Sequence, residues 1–296
     1  MSSVNGQAKA GAPAQDILRM EHITKIYGNG FIANNGIDFS VRKGEIHALA
    51  GENGAGKSTT IRLILEMAQK DSGSIRILGK DNTENISLTK EDVGVVLDEV
   101  GFPECLTAQQ VGNIMKNTYR NWDMDVYKKY MKELALPENK EFKEFSRGMK
   151  MKLGIAVALS HDPKLLILDE ATSGLDPVIR DEVLDIFSEF TRDENHAVLM
   201  SSHIVSDLEK ICDYIAFLHK GRLLLCEEKD RIMEEYGILR CSADQLAELD
   251  PAAVKGKKES AYGVEAIVER DKVPAALQLS PVDIEQLFIF MVKEAD

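Results

Sequence analysis

Cysteine, long apolar runs and positive charge are all in short supply in this sequence, and each shortage closes off a class of protein. Four cysteines, Cys105, Cys212, Cys226 and Cys241, are scattered through 296 residues with no C-x-x-C pairing. Neither a zinc ribbon nor a disulfide framework is encoded, and a reducing compartment suits the chain. Apolar runs such as Leu165 to Leu168 fall far short of the roughly 20 residues that a membrane-crossing helix needs. Lys and Arg number 36 against 49 Asp and Glu, a net charge of -13. Nucleic-acid affinity rests on neutralising phosphates with Lys and Arg, so no nucleic-acid partner is expected. Residues 1–15 are rich in Ser, Gly, Ala and Pro but lack the basic start and apolar centre of a secretory signal; they read as a disordered tail.

What is present is an ordinary globular composition, 44% hydrophobic, arranged as an α/β chain. Ile17 to Ser40 reads as short strands and turns, an opening antiparallel segment. "EIHALAG" is a strand running into a glycine-rich stretch, and "KSTTIRLILEMA" continues it as a helix. Between about 103 and 160 the apolar period becomes helical, so a helical insertion is expected there. "KLLILD", "HAVLMSS" and the hairpin "YIAFLHKGRLL" return to sheet, with Leu165 to Leu168 continuously apolar as in a strand buried on both faces. After about Leu225 the text reads as a small C-terminal α+β appendage. The expected division is therefore 1–15, 16–225 and 226–296.

The segment "GENGAGKS" matches G-x-x-x-x-G-K-[ST] at Gly51, Gly56, Lys57 and Ser58. Glycines let the backbone curl so that N–H groups face phosphate oxygens, and the positive end of the following helix points the same way. Gly51, Asn53, Gly54, Ala55, Gly56, Lys57, Ser58 and Thr59 are thus candidate ATP-binding residues, with Lys57 reaching the β- and γ-phosphates and the Ser58 hydroxyl on Mg²⁺. Asp169 ends a buried strand, at the carboxyl edge where open α/β sheets place ligands, and suits the Mg²⁺ shell. Glu170 is placed to orient the attacking water. His203 ends the next strand in the same manner. Lys57, Glu170 and His203 are the candidate catalytic set, whereas His22, His47, His161, His196 and His219 lack such context and read as structural.

In this order the motifs resemble the ATP-binding-cassette (ABC) ATPase family over roughly Ile17 to Leu225. The resemblance implies a P-loop, RecA-like core with an antiparallel β subdomain and a helical insertion. "EFSRGMKMKL" stands in the place of the L-S-G-G-Q signature, which maps Ser146 and Gly148 onto positions that contact nucleotide held by an opposite subunit. "SGLDP" resembles the D-loop, with Asp176 at the dimer contact, and Tyr27 takes the place of the aromatic residue that stacks on adenine. Three positions depart from the family pattern: Arg147 replaces the first signature Gly, Met149 its Gln, and Asp98 the Q-loop glutamine. Asp98 is carried as a candidate Mg²⁺ ligand, at the cost of added negative charge beside the phosphates.

The resemblance further implies an ATP-hydrolysing subunit that dimerises with an identical or related cassette and drives a separate integral membrane permease. It would be cytoplasmic and peripheral on the inner face of the membrane. "VLDE…FP…LTA", "FSRGMKMKL" and "SSHIVSDLEKICDYI" look most like the bacterial exporter subfamily that includes antimicrobial-peptide resistance and cytolytic-peptide export cassettes. The alternative is a soluble cassette ATPase acting on ribosomes or nucleic acid. A single phosphate loop, the lack of a repeat and the acidic balance disfavour it. A non-hydrolytic nucleotide sensor is disfavoured because Lys57, Asp169, Glu170 and His203 are all kept.

Overall fold

The computed structural model describes residues 16–83, 90–260 and 263–295; the expected disordered tail, 1–15, lies outside them. The chain opens with two 11-residue antiparallel strands, β1 (Asp16–Ile26) and β2 (Ile32–Arg42). They are longer than the short strands expected, because register shifts between Met20 and Ile23 interrupt the alternation a sequence reader follows. After β3 (Ile46–Ala50) and α1 (Lys57–Ile64), β4 (Ser72–Ile77) and β5 (Lys80–Asp81) return to complete a four-stranded sheet in the order β2-β1-β4-β5. Next come β6 (Val93–Val96), three helices, α2 (Ala108–Thr118), α3 (Met124–Glu133) and α4 (Arg147–Leu159), and then β7 (Leu165–Asp169). Helix α5 (Pro177–Phe190), β8 (Ala197–Ser202), α6 (Val205–Ile211), β9 (Tyr214–His219) and β10 (Arg222–Glu228) complete a six-stranded sheet ordered β10-β9-β3-β8-β7-β6.

All five residues of β7 and all six of β8 are buried, and their alternation divides them between two cores. Leu165, Ile167, Ala197 and Leu199 face a cluster shared with α1 and the antiparallel sheet, including Ile61, Leu63 and Ile75. Leu166, Leu168, Val198 and Met200 face the other side, among Ile155, Val183 and Phe187. The sheet therefore cannot slip by one residue without exchanging both sets. The helical segment has its own cluster, with Val111, Tyr127, Met131, Phe142 and Leu153. A capping box in which Thr107 and Gln110 satisfy each other's backbone N–H groups sets where α2 begins.

Beyond β10 come α7 (Lys229–Glu235), β11 (Tyr236–Cys241), α8 (Ala243–Ala247), β12 (Val254–Ser260), β13 (Gly263–Glu269), β14 (Leu279–Ser280) and α9 (Ile284–Ala295). The four strands form an antiparallel sheet ordered β12-β13-β11-β14. The expected division after residue 225 falls inside β10. Ile238, Ile267, Ile284 and Leu287 lie in the same apolar cluster as β7 and β8, and Phe288 packs on Phe217 with ring centroids 5.2 Å apart. Among the described residues no helix is long and apolar enough to cross a membrane.

Leu287 is fully buried within that shared cluster, so Leu287→Ala should cost about 2–5 kcal/mol. The loss should appear in the unfolding of the whole chain, read as a lower denaturant midpoint by both tryptophan fluorescence and far-UV circular dichroism; a shift confined to one probe would contradict the shared core.

His161 is fully buried, stacks on Tyr119 at 4.0 Å, and its Nδ1–H donates to the Glu91 carbonyl at 3.0 Å. Burial lowers its pKa below the ordinary imidazole value, and the Glu91 carbonyl opposes this only in part. As pH falls below about 6.5 the unfolded chain takes up the proton first, so folding stability drops toward the lower folded pKa. Urea unfolding of His161→Gln should consequently lose less stability between pH 7.5 and pH 5.5 than the parent does.

Candidate functional site

The loop 51–56 links β3 to α1 and is shaped by close approach of its neighbours. A side chain at Gly51 would meet the Leu218 carbonyl oxygen at 2.4 Å. At Gly56, where φ is +113°, one would meet the Ala33 carbonyl oxygen, also at 2.4 Å. Only glycine fits either position, so the loop is folded against β2 and β9 from both sides. The Lys57 ammonium, 5% exposed, donates to the carbonyl oxygens of Gly51 at 2.7 Å and Glu52 at 3.1 Å, and lies 3.3 Å from Glu170 Oε1. Burial of the amine is tolerated because three oxygens surround it.

At the end of β7, Asp169 Oδ1 accepts from Ser58 Oγ at 3.1 Å and from Ser201 Oγ at 2.6 Å. Glu170 follows with φ 52°, a conformation costing an ordinary side chain roughly 1–3 kcal/mol. Its N–H is held by Ser201 Oγ at 3.0 Å and the Ser201 carbonyl at 3.2 Å. That bend turns the Glu170 carboxylate toward the loop, where Oε1 meets Lys57 and Oε2 lies 2.7 Å from His203 Nδ1. Ser201 lies buried within β8, and His203 stands just beyond its end, half-exposed. Lysine, glutamate and histidine thus form one chain of contacts at the sheet edge.

A cavity of about 470 Å³ opens over this edge, walled by Asn53, Gly54, Gly56, Lys57, Ser58, Thr59, Glu170 and His203, with Phe31, Asp98, Arg147 and Ser173 completing it. Gly51, Ala55 and Asp169 stand behind the wall. Tyr27 stands just outside it: its hydroxyl is 3.5 Å from Thr59 Oγ1 and its ring stacks on Phe31, centroids 6.5 Å apart. Phe31, half-exposed and on the wall, was not singled out from the sequence; the hairpin of β1 and β2 brings it beside Tyr27.

Ser146 and Gly148 are not on this wall. Ser146 caps α4, its hydroxyl accepting from the Met149 N–H at 3.3 Å, and Asp176 caps α5 by accepting from Val178 and Ile179 N–H groups at 3.1 Å. Asp98, the third expected metal ligand, accepts at Oδ1 from Arg147 Nη2 at 2.7 Å, while Ser58 and Asp169 bond each other. Ser201, which ties Asp169 to Glu170, carried no signal in sequence, since serine in a buried strand is read as filler.

A glycine-shaped loop at a strand-to-helix junction, holding a buried lysine against a carboxylate just past the end of a parallel strand, defines a phosphate-loop nucleoside triphosphatase. The family description "ABC transporter" matches residues 34–173. The bacitracin transport ATP-binding protein BcrA of Enterococcus faecalis is 34% identical over 210 residues, 70% of this chain and 68% of the relative. The uncharacterized ABC transporter ATP-binding protein YhcH of Bacillus subtilis is 32% identical over 286 residues, 94% and 91% of the two chains. The solved structure of an ATP-binding subunit of an ABC transporter aligns with TM-score 0.68 at 28% identity, covering 74% of this chain and 92% of the other. The fold is also that of the dimeric cassette MJ0796, with TM-score 0.64 at 20% identity over 71% and 98% of the chains. This chain belongs to the ABC transporter family, as an ATP-binding subunit and an ATPase.

Gly56→Ala should distort the loop at both contacts. A thermal-shift titration should show a stability loss of about 1–3 kcal/mol and little or no stabilisation by ATP, whereas the parent is stabilised.

Proposed function

We propose that this chain couples ATP hydrolysis to export of a peptide antibiotic, or a chemically similar amphiphile, through a separate membrane permease. The chain of contacts Lys57–Glu170–His203 on the cavity wall carries the hydrolytic part of this reading. Similarity to a bacitracin transport protein supports the cargo class. Membership of the ABC transporter family supports a permease partner and a place at the cytoplasmic face of the membrane.

Ser58 and Asp169 present two hard oxygen donors on a shared contact of 3.1 Å, a set that suits Mg²⁺. When bound there, Mg²⁺ neutralises charge on the phosphate oxygens. Lys57 and the N–H groups of 53–59 bind the phosphates, and Tyr27 with Phe31 gives the adenine a flat apolar seat. Glu170 orients the water on the far side of the γ-phosphate and accepts its proton, while His203 fixes the Glu170 carboxylate and supplies a second polar contact there. Ser146 and Gly148 lie off the cavity wall of their own chain. They reach nucleotide when a second cassette, identical or related, is placed head to tail. Each triphosphate is then held between two chains, which favours closure in proportion to its better fit to the closed pair.

Glu170→Gln tests this directly. It should retain ATP binding, lower turnover by about 10²–10⁴-fold, and shift the chain to a dimer in gel filtration with Mg-ATP. Purified from gentle detergent extracts of its native cells, that variant should retain a polytopic membrane protein in stoichiometric amount. Hydrolysis at the parental rate would refute the role given to Glu170, and recovery of ribosomal or DNA-associated proteins instead would refute the transport role.

A further inference from the structure

Two positions that the phosphate-loop chemistry leaves unused meet at the mouth of the cavity. Asp98 lies just beyond β6, and Arg147 is the first residue of α4, 49 positions later. Their side chains are joined at 2.7 Å and are each about half exposed, 50% and 54%. Arg147 also covers Gly174, whose φ is +70°: a side chain there would meet the guanidinium Nη1 at 3.0 Å. One guanidinium therefore touches three segments that wall the site: the end of β6, the start of α4 and the loop that follows β7.

A cation on the first turn of a helix opposes the helix dipole, so Arg147 is poorly placed for the stability of α4 alone. Asp98 offsets this, yet an ion pair so open to water is weak and readily exchanged. The other charged groups on the cavity wall, Lys57 and Glu170, are already paired with each other, and the His203 ring already lies on Glu170. Arg147 is thus the cation on the wall whose partner is held only by an exposed contact, and a triphosphate entering the cavity presents a denser anion than a carboxylate.

We propose that Arg147 is a triphosphate-sensing positioning residue and Asp98 its keeper: the bound γ-phosphate draws the guanidinium from Asp98, loosening the start of α4 from the edge of β6. The inference rests on the phosphate-loop reading above. It assigns to Asp98 the task of setting how much Arg147 charge the nucleotide feels.

The test is isothermal titration of the full chain with Mg-ATP and with Mg-ADP, for the parent, Asp98→Asn, Arg147→Gln and the double variant. Asp98→Asn frees the cation and should tighten Mg-ATP by roughly 3–10-fold. Arg147→Gln leaves an unpaired carboxylate and should weaken it by about as much, with the double variant lying between the two. The effects should be smaller for Mg-ADP and should shrink in ~0.5 M salt. Singles that move in the same direction would reduce the pair to packing, and singles that do not move would make it a bystander; either result overturns the proposal. Lys57→Ala serves as the separate control. If it binds Mg-ATP as the parent does, the phosphate-loop reading fails, whatever the pair does.

Discussion

The hydrogen bonds converging on Asp169 Oδ1 are the point on which the site depends. Ser58 of α1 and Ser201 of β8 both donate to that one oxygen, at 3.1 and 2.6 Å. They join the phosphate loop to two neighbouring parallel strands. Because β7 and β8 feed alternate residues into cores on both faces, Asp169 cannot move along its strand without unpacking both. The rigid sheet supplies the precision, and the serines pass it to the loop. The same Ser201 hydroxyl holds the N–H of Glu170 in its left-handed bend, so one buried side chain sets the direction of two carboxylates.

The electrostatics of the cavity follow from how each charge is paired. Lys57 and Glu170 are the more deeply buried couple, and each has further partners: carbonyl oxygens for the lysine, a histidine for the glutamate. Such groups keep their geometry because breaking one contact strands the others in a poorly solvated place. Asp98 and Arg147 are open to solvent and interact through a single contact. Fixed charges line the floor where phosphates and water must be held, and exchangeable ones line the mouth.

Much of this was legible in the sequence, and the remainder shares one property. Gly51 to Ser58 announces itself because loop geometry is local: consecutive residues must satisfy one backbone path. Asp169, Glu170 and His203 were placed by a strand followed by a polar residue, which is also local. The meeting of Asp98 with Arg147, the seat of Phe31 beside Tyr27 and the double duty of Ser201 are contacts between segments far apart in the chain, and no periodicity encodes them. The expected boundary at 225/226 falls within β10 for a similar reason. Composition changes there, yet Ile238, Ile284 and Leu287 pack into the cluster under β7, and apolar residues of an appendage read the same whether they bury among themselves or against a neighbour. Long-range apolar contact is the main driving force of folding but carries no address in the sequence.

Helix α4 shows how a change at the mouth can travel. Met151, Ile155, Ala158 and Leu159 belong to the cluster beneath the central sheet, whereas Leu153, Ala156 and Val157 belong to that of the helical segment. The helix is buried on both sides, and close-packed interiors respond by moving as units. Its first turn, by contrast, is held at the mouth by Arg147, through a solvent-exposed ion pair. Under the proposal made above, a weak polar tether at one end of a doubly buried helix is the point where a small gain in phosphate contact would act on everything packed against it. The segment that carries Val111, Tyr127 and Phe142 shares its apolar cluster with Leu153, Ala156 and Val157 of that helix, so the two are packed as one body.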